Sequence, residues 1–409
     1  MHVSKKIKTI WIINQYASTP ETSMGGRHYY LAKELSKRGY SVYVVAASYT
    51  HLLREPPLCK SELNIEQVSG FNFVWVRVSK YSNAHSIKRI LNWFVFAWKL
   101  RYLLEFISNK PDVILYSSPS LIPFLSVQRL AKKFGAKLVF EVRDIWPLTF
   151  IELGGRSAKH LFIRFLQWIE DRAYRVSDIV LSNLPNAVEH MVARGLTRDK
   201  FYWIPNGIDM SEISQTSPLP DSIVEKLPKD KFLVGYTGTL GVANALDILI
   251  KAAYILKNET DVVFVLVGDG KEKRNLMEQA RGLSNVVFIE AIRKSQIQSM
   301  LRAFNACFIG WRKESIYRFG IAPNKLPEYM MAGKPIIHSY SGSFDFVVNA
   351  NAGISVPAED PQAIADAVLN LKSKTQNELD ILGENGHLYA VKHHDYSKLS
   401  DSLAKVLFK

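Results

Sequence analysis

Residues 318–337 read Arg-Phe-Gly-Ile-Ala-Pro-Asn-Lys-Leu-Pro-Glu-Tyr-Met-Met-Ala-Gly-Lys-Pro-Ile-Ile, which predicts a loop, a short helix and a buried strand in succession. Pro323 restricts the residue before it to an extended conformation and suits a helix start, so we expect a helix over residues 324–332. Gly333 is placed to end that helix, and Ile336 and Ile337 begin an apolar strand. Alternating helices and buried strands are typical of α/β proteins.

The start of this predicted helix has the chemistry of a phosphate site. Backbone amides and the partial positive charge of a helix N-terminus at Asn324 suit a phosphate, and Lys325 adds a formal cation. Glu328, one turn later, offers a carboxylate to ribose hydroxyls. The alternative is an ordinary connection between a helix and a strand, and the spacing alone does not separate the two.

The same alternation begins at the N-terminus. The short apolar run 9–13 is followed by a loop ending in Gly25-Gly26, a helical pattern that stops at Gly39, and a second apolar run at 42–46. This order predicts a βαβ unit. Further strands are expected at 113–116, 137–141, 179–182 and 201–204, which together predict a doubly wound parallel sheet.

A second domain is predicted after a change in composition. Residues 209–230 contain three prolines among Ser, Thr and acidic residues, as expected of a linker. Strands expected at 232–236, 262–267, 286–289 and 306–309 then alternate with helices near 245–257, 271–283 and 295–303. We therefore expect a first domain at 1–208, a linker at 209–230, a second domain at 231–390 and a C-terminal helix at 391–409.

Composition excludes several classes of protein. The chain has 409 residues, of which 47% are hydrophobic and 22% charged, which excludes a disordered protein and suits two domains. Cys59 and Cys307 are far apart, so neither a disulfide scaffold nor a zinc site is indicated. The N-terminal sequence lacks the apolar region of a signal peptide, which favours a cytoplasmic protein.

The net charge of +14 lies in the first half of the chain, where residues 1–200 hold 29 Lys and Arg against 15 Asp and Glu. Such asymmetry indicates a polyanionic partner, either nucleic acid or an anionic membrane surface, unless the domain is simply basic. No nucleic-acid-binding module accompanies the charge, so no nucleic acid partner is expected. Residues 87–110 place basic residues around the aromatic centre Trp93–Trp98, which is too short to span a bilayer but typical of an interfacial helix or of a buried one.

Two further motifs lie at predicted strand ends. Glu141-Val-Arg-Asp-Ile-Trp-Pro147 places Arg143 and Asp144 where ligands bind in open α/β sheets, although the two side chains also suit a structural ion pair. Val267-Gly-Asp-Gly-Lys271 lacks the third glycine of the dinucleotide fingerprint, so a hydride-transfer cofactor is not supported.

The segment from Glu328 to Ile337 resembles the Glu-Ala-Met-Ala-x-Gly-x-Pro-Val-Val segment of retaining glycosyltransferases of family 4, and the resemblance covers nearly the whole chain. In the family's Glu-x7-Glu signature the second Glu falls at Glu328, whereas Gly320 replaces the first. The preceding Tyr-Arg-Phe-Gly-x-x-Pro-Asn-Lys is similar to a branch that includes L-fucosamine-type transferases of bacterial O-antigen and capsule biosynthesis.

This resemblance implies a GT-B fold, with two Rossmann-like, doubly wound parallel-sheet domains facing a cleft and the C-terminal helix crossing back to the first domain. The first domain is expected to hold an acceptor and the second a nucleotide sugar. Many relatives carry an Arg and a Lys for the donor pyrophosphate where this chain has Thr237–Asp247 without either, so we assign the pyrophosphate first to Lys325 and second to Arg318. The catalytic residues expected are Asp144, Arg143 and Glu328. The donor-binding residues expected are Gly25, Gly26, Gly238, Gly268, Gly270, Arg318, Gly320, Asn324, Lys325 and Glu328.

The predicted function is a retaining hexosyl transfer from a nucleotide sugar, UDP-linked and carrying an N-acetylated deoxyhexosamine, to a polyprenyl-diphosphate-linked glycan. The protein is expected to lie peripherally on the inner face of the cytoplasmic membrane, with no cofactor and, since no Asp-x-Asp motif occurs, no metal. The alternatives are a nucleotide-sugar epimerase or hydrolase of the same fold and a non-catalytic subunit that binds a nucleotide sugar.

Overall fold

The computed structural model describes residues 7–82 and 86–409. Residues 1–6, which were part of the expectation that the N-terminal sequence is no signal peptide, lie outside the described residues. The chain divides into two compact units. Unit 1 runs to Asn206 and includes Tyr396–Lys409, and unit 2 is Gly207–Asp395.

Unit 1 contains one sheet of eight strands among the described residues, in the order β3-β4-β2-β1-β5-β6-β7-β8. Its strands are β1 (Thr9–Ile13), β2 (Ser41–Ala47), β3 (Leu63–Val68), β4 (Phe71–Val76), β5 (Val113–Ser117), β6 (Lys137–Val142), β7 (Ile179–Ser182) and β8 (Phe201–Trp203). All neighbouring pairs are parallel except β3 and β4. Neither strand of the β3–β4 hairpin was predicted from the sequence. β3 is largely exposed at the sheet edge and has no continuous apolar run, whereas β4 is a largely buried apolar run that was missed.

The helices of unit 1 cover the sheet. They are α1 (Arg27–Lys37), α2 (Ile87–Lys99), α3 (Leu103–Phe106), α4 (Phe124–Phe134), α5 (Leu148–Glu152), α6 (Leu161–Val176), α7 (Val188–Ala193) and, numbered last because it ends the chain, α17 (Tyr396–Leu407), with 3-10 turns at Leu100–Tyr102 and Arg198–Lys200. The C-terminal α17 packs on α1, where Tyr30 and Tyr396 stack with ring centroids 5.1 Å apart and Arg38 pairs with Asp401 at 2.5 Å.

Unit 2 contains one sheet of six parallel strands within the described part of the chain, in the order β11-β10-β9-β12-β13-β14. The strands are β9 (Phe232–Thr237), β10 (Val262–Val267), β11 (Val286–Ile289), β12 (Ala306–Gly310), β13 (Ile336–Ser339) and β14 (Gly353–Val356). The helices are α8 (Met210–Ser214), α9 (Asp221–Val224), α10 (Leu246–Ile255), α11 (Lys273–Gln279), α12 (Ile297–Arg302), α13 (Lys325–Met331), α14 (Phe346–Ala350), α15 (Pro361–Lys372) and α16 (Gln376–His393), with 3-10 turns at Val242–Asn244, Lys294–Gln296 and Ser315–Phe319.

Two boundaries differ from those expected. The proline-rich residues 209–230 belong to unit 2 and include α8 and α9. Ser217 anchors them, because its backbone N–H donates to the Ser295 carbonyl at 2.7 Å and its carbonyl accepts from the Ser299 hydroxyl at 2.7 Å. Prolines signal irregular backbone and not the absence of packing. The predicted C-terminal helix over 391–409 is interrupted, since α16 ends at His393 and α17 begins at Tyr396.

Candidate functional site

Lys325, the first residue of α13, is a partly buried cation at the carboxyl end of β9. Its ammonium donates to the Tyr236 hydroxyl at 2.5 Å and to Asn244 Oδ1 at 3.0 Å. Burial lowers the pKa of Lys325 to about 8, against the opposing effect of the Glu328 carboxylate. The helix itself is tied to β9, because the Tyr329 hydroxyl accepts from the Thr237 N–H at 2.7 Å and donates to the Thr237 carbonyl at 2.8 Å.

Glycines at the carboxyl ends of β9 and β10 pack closely together beside this lysine. A Cβ on Gly238 would lie 2.6 Å from Lys325 Cε and 2.9 Å from its Nζ. A Cβ on Gly268 would lie 2.0 Å from the Gly238 carbonyl oxygen, and both residues have positive φ. Gly270 follows, within the same turn, where a Cβ would lie 2.2 Å from the Leu240 carbonyl oxygen. The structure thus brings Gly238, Gly268 and Lys325 together.

Glu328, one turn after Lys325, lines a cavity of about 210 Å³ with Thr216, Lys294 and Gln298. Its carboxylate makes no hydrogen bond to any residue in the described ranges, while its backbone carbonyl accepts from Gln298 Nε2 at 2.8 Å. Burial raises the pKa of Glu328, and the nearby charge of Lys294 opposes the shift. The arrangement leaves an unpaired acceptor facing a cavity, which suits hydroxyl donors of a ligand.

The remaining residues expected at the donor site precede α13. Arg318 lies in the 3-10 turn, where its Nη1 donates to the Ser315 carbonyl at 2.7 Å and its guanidinium lies 4.3 Å from the centre of the Phe319 ring. Gly320 ends the turn with a positive φ, and Asn324 precedes α13 without capping it through its side chain. The helix therefore begins one residue later than expected and has seven residues.

Sequence reasoning missed a cation beside the Thr237–Asp247 segment. Arg312 follows β12 and donates to the Val242 carbonyl at 3.0 Å and to Asp247 at 2.5 Å. A second carboxylate, Glu359, accepts from it at 3.1 Å. Two carboxylates neutralise this guanidinium, so its contacts support a structural role in the loop. An Arg directly after a buried strand was the available signal.

In unit 1, Arg143 and Asp144 follow β6, as the motif predicted. The backbone N–H of Arg143 donates to the Ser118 hydroxyl at 2.9 Å, and this hydrogen bond joins the ends of β5 and β6. The Asp144 side chain reaches solvent and has no hydrogen-bond partner in residues 7–82 and 86–409. Partial desolvation by surrounding protein nevertheless raises the pKa of Asp144, against the lowering effect of Arg143. A carboxylate of this kind can accept a proton from an incoming hydroxyl.

A buried charge network lies directly behind this motif. Arg27 Nε donates to Glu141 Oε1 at 2.9 Å, and the other carboxylate oxygen contacts His28 Nε2 at 3.0 Å and accepts from the Ser117 hydroxyl at 2.7 Å. Burial disfavours the ionised carboxylate, but Arg27 and these hydrogen bonds outweigh it and hold the pKa of Glu141 well below its usual range. Burial also lowers the pKa of His28. The network joins the start of α1 to the end of β6.

Gly25 and Gly26 stand immediately before α1, and both have positive φ. The Ser18 hydroxyl donates to the Gly25 carbonyl at 2.9 Å and holds the loop. Their place beside Arg27 puts them next to the buried network. Sequence reasoning identified the glycines but not the role of Arg27 and His28, because buried partners distant in the chain leave no local pattern.

Two whole-chain properties bear on function. No helix in the described residues is long and apolar enough to cross a bilayer. Within residues 7–82 and 86–409, no three His, Cys, Asp or Glu side chains are grouped so that they could hold a metal ion.

Family models match most of the chain, in two parts. The model described as Glycosyltransferase Family 4 matches residues 27–212, and that described as Glycosyl transferases group 1 matches residues 231–374. The chain belongs to glycosyltransferase family 4. The sequence is also 27% identical over 238 residues to WcaI of Escherichia coli K12, whose name assigns it to colanic acid biosynthesis as a glycosyl transferase. That match spans 55% of this chain and 56% of WcaI.

Solved structures confirm the GT-B fold expected from the sequence. Sucrose-phosphate synthase from Thermosynechococcus elongatus superposes with a TM-score of 0.72 at 17% identity, over 98% of each chain. Anabaena HepE in complex with UDP-glucose superposes with a TM-score of 0.64 at 16% identity, over 98% of this chain and 99% of HepE. At these identities the likeness concerns the fold alone.

Proposed function

We propose that this family 4 member transfers a hexosyl residue from a nucleotide sugar to a lipid-linked glycan. The observation that carries the proposal is the geometry around Lys325, where a partly desolvated ammonium lies against Gly238, Gly268 packs on Gly238, and Glu328 is one helical turn away. A cation in such surroundings suits a diphosphate. The carboxylate beside the adjoining cavity suits ribose hydroxyls.

In this proposal unit 2 binds the donor. Lys325 binds the diphosphate, the backbone at Gly238 and Gly268 allows its close approach, and the cavity lined by Glu328, Lys294 and Gln298 takes the nucleoside. Arg318 and Gly320, on the preceding loop, complete the donor side. Since HepE has been solved with UDP-glucose, we infer a UDP-linked donor, and the likeness to L-fucosamine-type transferases favours an N-acetylated deoxyhexosamine.

In the same proposal unit 1 binds the acceptor. The acceptor oxygen forms a bond to the anomeric carbon on the same face from which the diphosphate departs, as the bond from that carbon to the diphosphate breaks, and Asp144 accepts the hydroxyl proton. The departing nucleoside diphosphate is stabilised by Lys325. The backbone N–H of Arg143 holds the Asp144 loop to the Ser118 hydroxyl. The product retains the anomeric configuration of the donor.

The acceptor is inferred from two features. WcaI is named for colanic acid synthesis, which favours a polysaccharide pathway of the cell surface. The excess positive charge of residues 1–200 favours an anionic substrate or surface. Together they favour a polyprenyl-diphosphate-linked glycan used at the inner face of the cytoplasmic membrane.

A screen of UDP-, GDP- and dTDP-sugars tests the proposal. Donor consumption and thermal stabilisation are measured with and without a synthetic polyprenyl-diphosphate glycan, and NMR of the product gives its anomeric configuration. Consumption that requires the acceptor, with a retained linkage, is expected. Donor turnover without any acceptor would instead favour an epimerase or hydrolase, and thermal stabilisation without turnover would favour a non-catalytic binding subunit.

A further inference from the structure

Helix α2 has a second apolar face that stays exposed among the described residues of unit 1. Its inner face, including Trp93 and Phe96, is buried. The outer face carries large apolar side chains spaced by four, three and four residues, which places them on one side of a helix. These are Ile87, Leu91, Phe94 and Trp98, exposed by 76%, 55%, 45% and 53%.

Helix α6 repeats this arrangement. Its exposed apolar side chains are spaced by four and then three residues. They are Leu161, Phe165 and Trp168, exposed by 79%, 36% and 47%. The rings of Phe165 and Trp168 stack with centroids 6.1 Å apart, and the Arg172 guanidinium lies 5.8 Å from the Trp168 ring. Two exposed aromatic stripes on one domain are uncommon in a protein that meets only water.

Helix α4 packs against both α2 and α6 and supplies the charge. Arg129, Lys132 and Lys133 are exposed on it, and no carboxylate in the described residues pairs with them. We call the surface formed by the outer stripes of α2 and α6 with these cations of α4 the α2–α4–α6 face. It presents aromatic rings beside unpaired cations.

A cavity of about 250 Å³ opens between α2 and α4. Arg101, Arg129 and Lys133 line it together with apolar side chains that include Leu104 and Leu130, and none of the described residues that line it is a carboxylate. The Arg101 guanidinium lies 3.6 Å from the centre of the Trp98 ring, which orients it. Three cations around a small apolar floor suit a phosphate group attached to an apolar chain.

We propose that the α2–α4–α6 face docks on an anionic phospholipid bilayer, with a headgroup phosphate in the cavity between α2 and α4. Aromatic side chains of the two stripes enter the interfacial layer, and the cations of α4 contact the headgroups. This extends the proposed function, since a transferase that uses a lipid-linked acceptor works at a membrane.

The inner face of α2 connects this surface to the candidate acceptor residues. The Trp93 ring meets the Trp146 ring edge to face at 5.8 Å, and Trp146 lies two residues after Asp144. Trp93 Nε1 and Arg89 Nε both donate to the Tyr16 hydroxyl, at 2.8 and 3.0 Å. Docking through α2 therefore brings the bilayer to the helix that supports the Asp144 loop.

The structure also selects the cations worth testing. Four basic residues flank the aromatic centre in the sequence. Lys88 is exposed in the first turn of α2, Arg89 is held by Tyr16, and Lys99 pairs with Glu62 at 2.5 Å. Arg101 faces the cavity instead. The informative triple variant is thus Arg101→Gln, Arg129→Gln and Lys133→Gln.

The test is co-sedimentation of the full chain with phosphatidylcholine vesicles that contain or lack phosphatidylglycerol. Because each cation near an anionic surface contributes a factor of about five, the triple variant should bind the anionic vesicles about 100-fold more weakly at low salt. A matched triple variant in unit 2, Lys251→Gln, Arg274→Gln and Arg302→Gln, removes three exposed cations away from the proposed donor site, makes the same change in net charge and should bind as the wild type does.

The apolar stripe is tested by Phe94→Ser with Trp98→Ser, against Ile381→Ser with Leu388→Ser, which are exposed on α16 of unit 2. Only the α2 pair should weaken vesicle binding. Thermal unfolding and transfer to a short-chain, water-soluble acceptor check that each variant folds. Equal losses of vesicle binding in the unit 2 controls would overturn the proposal. It would also be overturned if Phe94→Ser with Trp98→Ser left vesicle binding unchanged but abolished a dimer seen by sedimentation velocity. Vesicle binding requires no turnover, so a failed transfer assay overturns only the proposed function.

Discussion

Donor affinity should depend on the protonation of Lys325. The pKa of this ammonium is lowered to about 8 by burial, so only its charged form, dominant below that pH, presents a cation to the donor diphosphate. The charged fraction falls from about 90% at pH 7 to about 10% at pH 9. The apparent donor Kd of the wild type should therefore rise about tenfold between these two values.

The assay is titration of a nucleotide sugar by calorimetry at pH 7, 8 and 9. Lys325→Gln should weaken binding about 10- to 100-fold at pH 7, since hydrogen bonds to charged groups contribute about 1.5–3 kcal/mol, and it should abolish the pH dependence. Lys325→Arg, which stays charged throughout this range, should also lose the pH dependence.

Thermal unfolding provides the folding control. Because burial lowers the pKa of Lys325 from 10.5 to about 8, ionisation of this lysine opposes folding increasingly as the pH falls from 10.5 to 8 and fully below that. Lys325→Gln should therefore not lower Tm through lost charge. A wild-type Kd that is flat from pH 7 to 9, or a Lys325→Gln variant that keeps the wild-type slope, would refute the reasoning.

Three further outcomes are expected from single substitutions. Glu328→Ala should raise donor KM or lower kcat about tenfold or more. Tm should stay unchanged, because the carboxylate has no hydrogen-bond partner among the described residues to lose. An unchanged kcat/KM in steady-state kinetics would contradict this. Asp144→Asn should lower kcat about 100-fold or more with little change in donor Kd, and a variant with wild-type kcat would remove Asp144 from the mechanism. Glu141→Gln should destabilise unit 1 by about 3–5 kcal/mol at pH 7 because it leaves Arg27 buried without its carboxylate. Since the folded pKa of Glu141 is depressed, its contribution to stability is present above pH 4.5 and is lost as the pH falls. The difference between wild type and variant in the free energy of unfolding by urea should therefore shrink in acid. A difference that stays constant with pH would contradict the assignment.

Much of the fold was predictable because buried parallel strands leave a strong local pattern. The strands β1, β7, β10 and β11 have the bounds that their apolar runs predicted. The exposed edge strand β3 had no such pattern, and the packed residues 209–230 looked like a linker because prolines and polar residues dominate them. Local composition reports backbone irregularity and not the contacts made by distant residues.

The candidate site was predictable where one segment carries the chemistry. Lys325 and Glu328 are one helical turn apart, so their proximity follows from helix geometry. The contact of Gly238 with Lys325 joins residues 87 positions apart, and the pairing of Arg27 with Glu141 joins residues 114 apart. No periodicity in a single sequence encodes such pairs.

The sequence by itself determined the alternating α/β architecture, the resemblance to family 4 and the basic character of the first 200 residues. Only the tertiary structure decided which charges are available. It paired Lys99 with Glu62 and Arg312 with Asp247, while the cations on α4 remain exposed. It also divided the aromatic residues of α2 between the core and the surface. The physical reason is that burial and pairing depend on which elements pack together, and that packing is established through contacts between residues far apart in the chain.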